Sequence, residues 1–485
     1  RRPRLAGTKF LAVVSEVARR SCVAMLALGS RLMPRLAQAG ERARPAAAAV
    51  QRWMSDAGAF THGNLEVIKT SSPKSKPAHR DACGFGTLFT DHMLTCEYNA
   101  DKGGWQAPQI RPFENLSLSP ASLVFHYALE CFEGMKAYRG VDGNIRLFRP
   151  ELNLTRFNKS SARMAMPKLP SDEFRKCLFD LVELEKDWVP EGRGYSLYIR
   201  PTMIATTPAL GVGPPQNAMM FTILSPVGAY YSGGFQPIRV LADTHHVRAW
   251  PNGTGDAKCG GNYAATIVPQ RMAREKGCDQ VLWLFGDDQQ VTEVGTSNFF
   301  GAVCSTPEHF VQRRRTVGVG RCAVVVRTWP STPMHTVYLT RYVLVTSRVP
   351  AVHWVTPEGK DEVVTAPLDG TILEGVTRQA VVDTLREDGF NVSERKFTMA
   401  DLCGAIDDGR VREIFSSGTA VTITPIGEIM YNDKLYTIPI EDGQAGPLTK
   451  QLTKKIFDIQ YGNITDHPWA PVVCEAGAEP CIAIA

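Results

Sequence analysis

The sequence predicts a mixed α+β fold in two domains. Short β-type runs alternate with helical ones from Phe85 onward, without the strict βα order of a doubly wound sheet. A Gly-rich connector, VGAYYSGGF, separates the strand MMFTILSP (Met219 to Pro226) from the strand PIRVLAD, as a linker between domains would. Beyond it, QVLWLF, the turn GDDQQ and VTEVGTSNFF read as a β-hairpin. These signals divide the chain into a small N-terminal domain at 54–226, an interdomain loop at 227–236, a larger domain at 237–472 and a tail at 473–485.

Residues 1–53 carry eleven Lys or Arg against only Glu16 and Glu41, and are rich in Ala. That composition matches a mitochondrial transit peptide and predicts the mitochondrial matrix as location; the part from Met25 would suffice as a presequence. No run of apolar residues reaches the length of about 18 that a membrane span requires.

Within the first domain, RPELNLTRFNKSSARM predicts a helix starting at Pro150, a residue suited to the first helical turn. In the second, GGNYAATIVPQRMAREKG predicts a helix kinked at Pro269. GTILEGVTRQAVVD (Gly370 to Asp383) predicts a turn and then an amphipathic helix with free amides at Val376 and Thr377. SSGTAVTITP (Ser416 to Pro425) supplies hydroxyls and a Gly-flexed backbone.

The formal charge of +5 is unevenly spread: 301–351 holds seven Arg against Glu308, and the chain outside the two basic segments is net acidic. The basic pI therefore gives no reason to expect nucleic-acid binding by the folded body. Twelve Cys occur without any C-x-x-C pair, which excludes a zinc ribbon or thioredoxin-type motif and predicts no metal site.

Lys258, in WPNGTGDAKCGGNYAAT, stands among small residues, where Gly260 and Gly261 let a bulky group approach the backbone. Alone it reads as a solvated surface lysine, because a Schiff-base lysine also needs phosphate donors and a group that tunes the cofactor ring. Candidates for those parts exist in the two Gly-marked segments and in Arg156, although helix starts and surface arginines are common. Glu293, among small residues in a predicted strand, would be costly to bury unpaired.

Taken together, FHYALECFEGMKAYRG, RLFRPELNLTRF, SLYIRP, LGVGPP, SPVGAYY, VRAWPNGTGDAKCGGNYAAT, GCDQVLWLFGDDQQVTEVGTSNFF, LDGTILEGVTRQ, DGRVREIFSSGTA and FDIQYG closely resemble the branched-chain amino-acid aminotransferases of pyridoxal-phosphate fold type IV, from about Phe85 to Gly462. The resemblance implies a small N-terminal domain, a larger one with a barrel-like sheet, and a homodimer. It implies pyridoxal 5′-phosphate on Lys258, with Glu293 at the ring nitrogen and Tyr263 at the ring hydroxyl. Arg156, Val376, Thr377 and Thr419 would hold the phosphate, with Arg248 and Thr296 near the cofactor. Phe85, Tyr127, Phe132, Tyr198 and Val212 would form the pocket for Leu, Ile and Val. Tyr127 with the amides near Thr419 and Ala420 would take the α-carboxylate, and Arg200 the γ-carboxylate of glutamate or 2-oxoglutarate.

The alternatives are an inactive homologue, or a fold type IV D-amino-acid aminotransferase or lyase, which would share Lys258 and Glu293 but need another carboxylate wall. Two departures from the family stand out. Ala420-Val421-Thr422-Ile423 replaces the redox C-x-x-C of animal relatives. Gly301 to Ala351 is an extra 51 residues after Phe300, read as a translated intron because strand connections of about 2 to 5 residues are usual in hairpins.

Overall fold

A computed structural model describes residues 58–77, 84–228, 235–303, 362–440 and 442–477. The presequence reading, the segment 304–351 and residues 229–234 of the connector lie outside the described residues. The described strands form two sheets, one of ten strands and one of nine.

The first sheet collects the strands from Glu66 to Val227. Leu123–Tyr127 (α1) leads into Glu130–Phe132 (β1), and Met135–Arg139 (β2) follows. Both pair with Ser196–Ala205 (β3), which in turn pairs along its length with Asn217–Val227 (β4). β1 and β2 share one register on β3, Phe132 opposite Thr202 and Met135 opposite Ile199. The gap between them faces Pro201, which has no N–H to give the ladder. There Glu133 N–H donates to the Pro201 carbonyl, and the Glu133 side chain is fully buried. Pro150–Arg163 (α2) begins with its proline in the first turn, as expected. Trp105, Phe157, Phe174, Leu178 and Leu197 belong to the core of this sheet.

The second sheet closes on itself. Gln290–Val294 pairs with Gln280–Phe285, and Ile238–Asp243 lies between Gln280–Phe285 and Thr422–Tyr431. Val411–Gly418 and Ser297–Val303 continue the ring, and Ser297–Val303 pairs back onto Gln290–Val294. In chain order these are β5 (Ile238–Asp243), β6 (Gln280–Phe285), β7 (Gln290–Val294), β8 (Ser297–Val303), β9 (Glu362–Thr365, paired with β8), β10 (Val411–Gly418) and β11 (Thr422–Tyr431). The expected α+β class with a barrel-like sheet is borne out. Phe299 and Phe300, adjacent on β8, enter different cores, as the twofold alternation of a strand requires.

Four local expectations need correction. VTEVGTSNFF is two strands joined at Gly295 and Thr296, with Val294 opposite Ser297. Gly295, at φ +54°, supplies the left-handed turn position, and no Asn-Gly or Asp-Gly pair announced it. β8 does not stop at Phe300: Gly301, Ala302 and Val303 continue its ladders to β9 and β10, because backbone pairing extends through any residue that tolerates extended geometry. Pro269 does not kink a single helix. Gly260–Ala264 (α3) ends, and Ile267–Glu275 (α4) starts close enough to place Pro269 in its first turn, where a missing N–H costs nothing. Val472–Cys474 is a strand of the first sheet, paired with Ile145–Leu147, although the sequence suggested a tail from 473.

Candidate active site

Lys258 lies just before α3, tied at both backbone ends to the first sheet's side of the molecule. Its N–H donates to Ser160 Oγ of α2 at 2.8 Å, and its carbonyl accepts from Phe132 N–H of β1 at 2.9 Å. The ammonium donates to the Tyr263 hydroxyl at 2.8 Å and stands 4.7 Å from the Phe132 ring centroid. Phe132 and Tyr263 are themselves in ring contact at 4.8 Å.

The contacts continue through Arg200. Its guanidinium lies over Phe132 at 4.9 Å and donates to the Tyr198 hydroxyl at 3.0 Å, while Nε is buried with no hydrogen-bond partner among the described residues. Phe85 packs edge-on against Tyr198 at 5.0 Å. One face therefore joins the ammonium, an incompletely satisfied guanidinium and four aromatic rings.

Two carboxylates are buried nearby. Glu293 at the end of β7 accepts from Leu373 N–H at 2.7 Å and Asn298 Nδ2 at 3.2 Å, and its other oxygen takes Arg248 Nε at 2.8 Å. Burial drives this carboxyl above the usual range, with Arg248, the Leu373 amide and the Lys258 charge pulling against it. Glu133 pairs with Arg156 of α2 through two bonds, Nε at 2.7 Å and Nη2 at 2.9 Å. Burial opposes its charge, but Arg156, Lys258 and Asn153 together hold it below the ordinary carboxylate range.

Arg156 also bonds the Glu374 carbonyl at 2.8 Å, just before the helix Val376–Glu387 (α5). No side chain among the described residues caps α5, and Val376 and Thr377 at its start are buried. Gly375 is needed there, because a Cβ would come within 2.1 Å of Asn298 Oδ1. Val376, Thr377 and Thr419 line one small cavity with Lys136. Lys136 is buried and bonds the Ala420 carbonyl at 2.8 Å, and burial lowers its pKa to about 8. Thr422, which closes the same turn, has φ +64°, a strained value for a β-branched residue.

Other expected residues sit apart. Thr296 is exposed in the β7–β8 turn. Tyr127 is 40% and Val212 82% exposed, and the Tyr127 hydroxyl donates to the Leu210 carbonyl. No bond or ring contact among the described residues joins either of them to Lys258. Sequence reasoning passed over Glu130, Glu133, Lys136 and Asn298. Two acids within ECFEG, a run otherwise apolar, were the available signal.

A lysine between aromatic rings, two buried carboxylates and an uncapped helix start is an arrangement suited to holding an anionic, ring-bearing cofactor. Residues 130–429 match the amino-transferase class IV family, and the chain belongs to it. Among curated relatives, the branched-chain-amino-acid aminotransferase of Monosiga brevicollis is 46% identical over 84% of this chain and 91% of its own. The mitochondrial enzyme of that name from Mus musculus is 42% identical over the same shares. The chain is thus a member of the branched-chain-amino-acid aminotransferases, whose relatives include both mitochondrial and cytosolic proteins. Among solved structures, the branched-chain amino acid aminotransferase of Escherichia coli has a TM-score of 0.54 at 20% identity, covering 79% of this chain and 99% of that one, a likeness of fold. Another branched-chain amino acid aminotransferase, solved with pyridoxamine 5′-phosphate, has a TM-score of 0.55 at 21% identity, covering 80% of this chain and all of that one.

Proposed function

We propose that the chain reversibly transfers the amino group of leucine, isoleucine or valine to 2-oxoglutarate, with pyridoxal 5′-phosphate held at Lys258. The observation that carries this reading is the Lys258 ammonium, bonded to Tyr263 and flanked by buried Glu293 and Glu133. When bound, the cofactor accepts the electron pair left by the breaking Cα–H bond. Lys258 Nζ carries the proton between the substrate Cα and the cofactor C4′.

Glu293 fits a protonated ring nitrogen: Arg248 alone does not offset the burial that raises its carboxyl, and a second positive partner would complete the balance. Tyr263, whose hydroxyl meets Lys258 Nζ, would bond the ring hydroxyl. Arg156, with three of its five N–H groups committed to Glu133 and Glu374, holds the phosphate with the free amides of Val376 and Thr377 and the Thr419 hydroxyl. Arg248, bonded to Glu293, would stand close to the cofactor, and Thr296, exposed in the β7–β8 turn, would lie at its edge.

Phe85, Phe132 and Tyr198 supply the wall for aliphatic side chains, each buried methylene contributing about 0.8 kcal/mol, and Val212, apart from Lys258 in its own chain, would join the wall of a second copy. Arg200, with its unpartnered Nε, receives the distal carboxylate of glutamate. The amides of Thr419 and Ala420 take the α-carboxylate, in a turn that Lys136 pins through the Ala420 carbonyl, and Tyr127, apart from Lys258 in its own chain, would reach it from a second copy. The exposed Phe125, Tyr127, Leu210 and Val212 support a homodimer in which a second copy covers this face. The basic, acid-poor residues 1–53 support a mitochondrial location.

Purified protein reconstituted with pyridoxal 5′-phosphate should show a visible band that bleaches with leucine and returns with 2-oxoglutarate. Turnover that survives Lys258→Ala, or a reconstituted protein with no visible band, defeats the assignment.

A further inference from the structure

We propose that Glu130 sets the balance between aliphatic and dicarboxylate substrates by placing a second carboxylate beside Arg200, an inference that rests on Arg200 as receiver of the distal carboxylate. Glu130 stands opposite Ile204, and Phe132 opposite Thr202. The twofold alternation of strands then puts Glu130 and Phe132 on the same face as Thr202, Arg200 and Tyr198. On that face the Arg200 guanidinium lies over the Phe132 ring at 4.9 Å.

The position of the carboxylate is fixed from the other side by Gly260, two residues after Lys258. A Cβ at Gly260 would come within 1.8 Å of Glu130 Oε1, so the carboxylate occupies space that any other residue would fill. No side chain among the described residues bonds that carboxylate, and Arg200 Nε is likewise without a partner. The two groups nevertheless act on each other: burial raises the Glu130 carboxyl, and the Arg200 charge pulls it back. Arg200 is therefore compensated without being closed off by an ion pair.

This arrangement addresses a conflict in the reaction. With an aliphatic side chain bound, Arg200 would be a desolvated cation without a counter-charge, and such a state is costly. Glu130, half-buried, supplies the counter-charge. With glutamate bound, the γ-carboxylate meets Arg200 but also meets Glu130, a like charge that weakens binding. Glu130 thus favours aliphatic substrates and penalises dicarboxylates, holding the two affinities closer together than Arg200 alone would.

The test compares the glutamate and leucine half-reactions of the holoenzyme. Glu130→Gln should raise the ratio of kcat/KM for glutamate to that for leucine about tenfold, or about 1.4 kcal/mol, with the glutamate change lying in KM. Glu130→Asp, which keeps the charge, should stay within about threefold of the wild-type ratio, about 0.7 kcal/mol. In an Arg200→Gln background, Glu130→Gln should lose its effect on leucine, because no cation is left to compensate, and keep only the relief of like charge for glutamate. A ratio that is unchanged or falls in Glu130→Gln, or a change in the leucine value that persists without Arg200, overturns the proposal. A wild-type holoenzyme that exchanges with neither substrate defeats the transaminase reading itself, which keeps the two failures distinct.

Discussion

Arg156 and Glu133 form a two-bond ion pair in which the carboxylate is wholly shielded from solvent. The pair anchors the guanidinium beside Glu374, immediately before the uncapped start of α5. If Arg156 holds the cofactor phosphate as proposed, Glu133 acts through it as the residue that orients the donor.

Replacing Glu133 with Gln should leave Arg156 as a buried cation without its counter-charge. Breaking a buried pair in this way costs about 3 to 5 kcal/mol, so the denaturant midpoint should fall and the Kd for pyridoxal 5′-phosphate should rise together. The folded carboxyl titrates below its ordinary value, so its stabilisation is complete above about pH 4.3 and is lost only as pH falls through the lower folded value. The deficit of the variant should accordingly be constant from pH 6 to 9. A midpoint equal to that of wild type would show that Arg156 finds another partner.

Glu293→Gln keeps the shape of the side chain and removes its charge. The amide can no longer balance Arg248 together with a protonated ring nitrogen, and turnover with leucine should fall by at least about 10²-fold, the range seen when a preorganised electrostatic group is removed. Steady-state kcat at saturating leucine is the measurement. A loss confined to KM would mean that Glu293 only shapes the pocket.

Lys258, Glu293 and the Gly-marked start of α5, each ambiguous alone, stood out once the resemblance joined them. Glu133 and Glu130 did not, because their meaning depends on pairing across the sheet: Pro201 interrupts the β3 ladder opposite Glu133, and the register sets Glu130 on the face of Arg200. Closure of the barrel through Glu293 opposite Asn298 was hidden in the same way, since Gly295 alone marks the turn. The return of Val472–Cys474 to the first sheet is a contact between distant segments that no local pattern encodes.

Lys136 should reveal itself through pH. Burial lowers its pKa to about 8, so the folded protein binds this proton more weakly than the unfolded chain does. The sign follows: the protonated lysine lowers stability below about pH 8, and the cost fades as pH rises toward about 10.4, the ordinary lysine value. Lys136→Met removes that cost, so its stability relative to wild type should be highest at neutral pH. The difference should shrink by on the order of 3 kcal/mol toward pH 10.5, offset at every pH by loss of the bond to the Ala420 carbonyl. Denaturant titrations of both proteins at pH 7 and 10.5 measure it, and parallel pH curves would contradict the burial of a charged amine.

Arg200→Gln separates the two substrate classes most directly. The guanidinium rests on Phe132 and bonds Tyr198, so its removal leaves an aromatic wall that still accepts aliphatic side chains. A γ-carboxylate would then lose its charged partner in a partly buried site, a loss of about 2 to 3 kcal/mol, or roughly 30- to 150-fold in kcat/KM. The expectation is a fall of that size for glutamate and 2-oxoglutarate, with leucine changing by less than about fivefold, or about 1 kcal/mol. Stopped-flow half-reactions read each substrate separately, without the other masking it. An equal loss for both would place Arg200 in the support of the pocket as a whole, and the distal carboxylate would then need a different receiver.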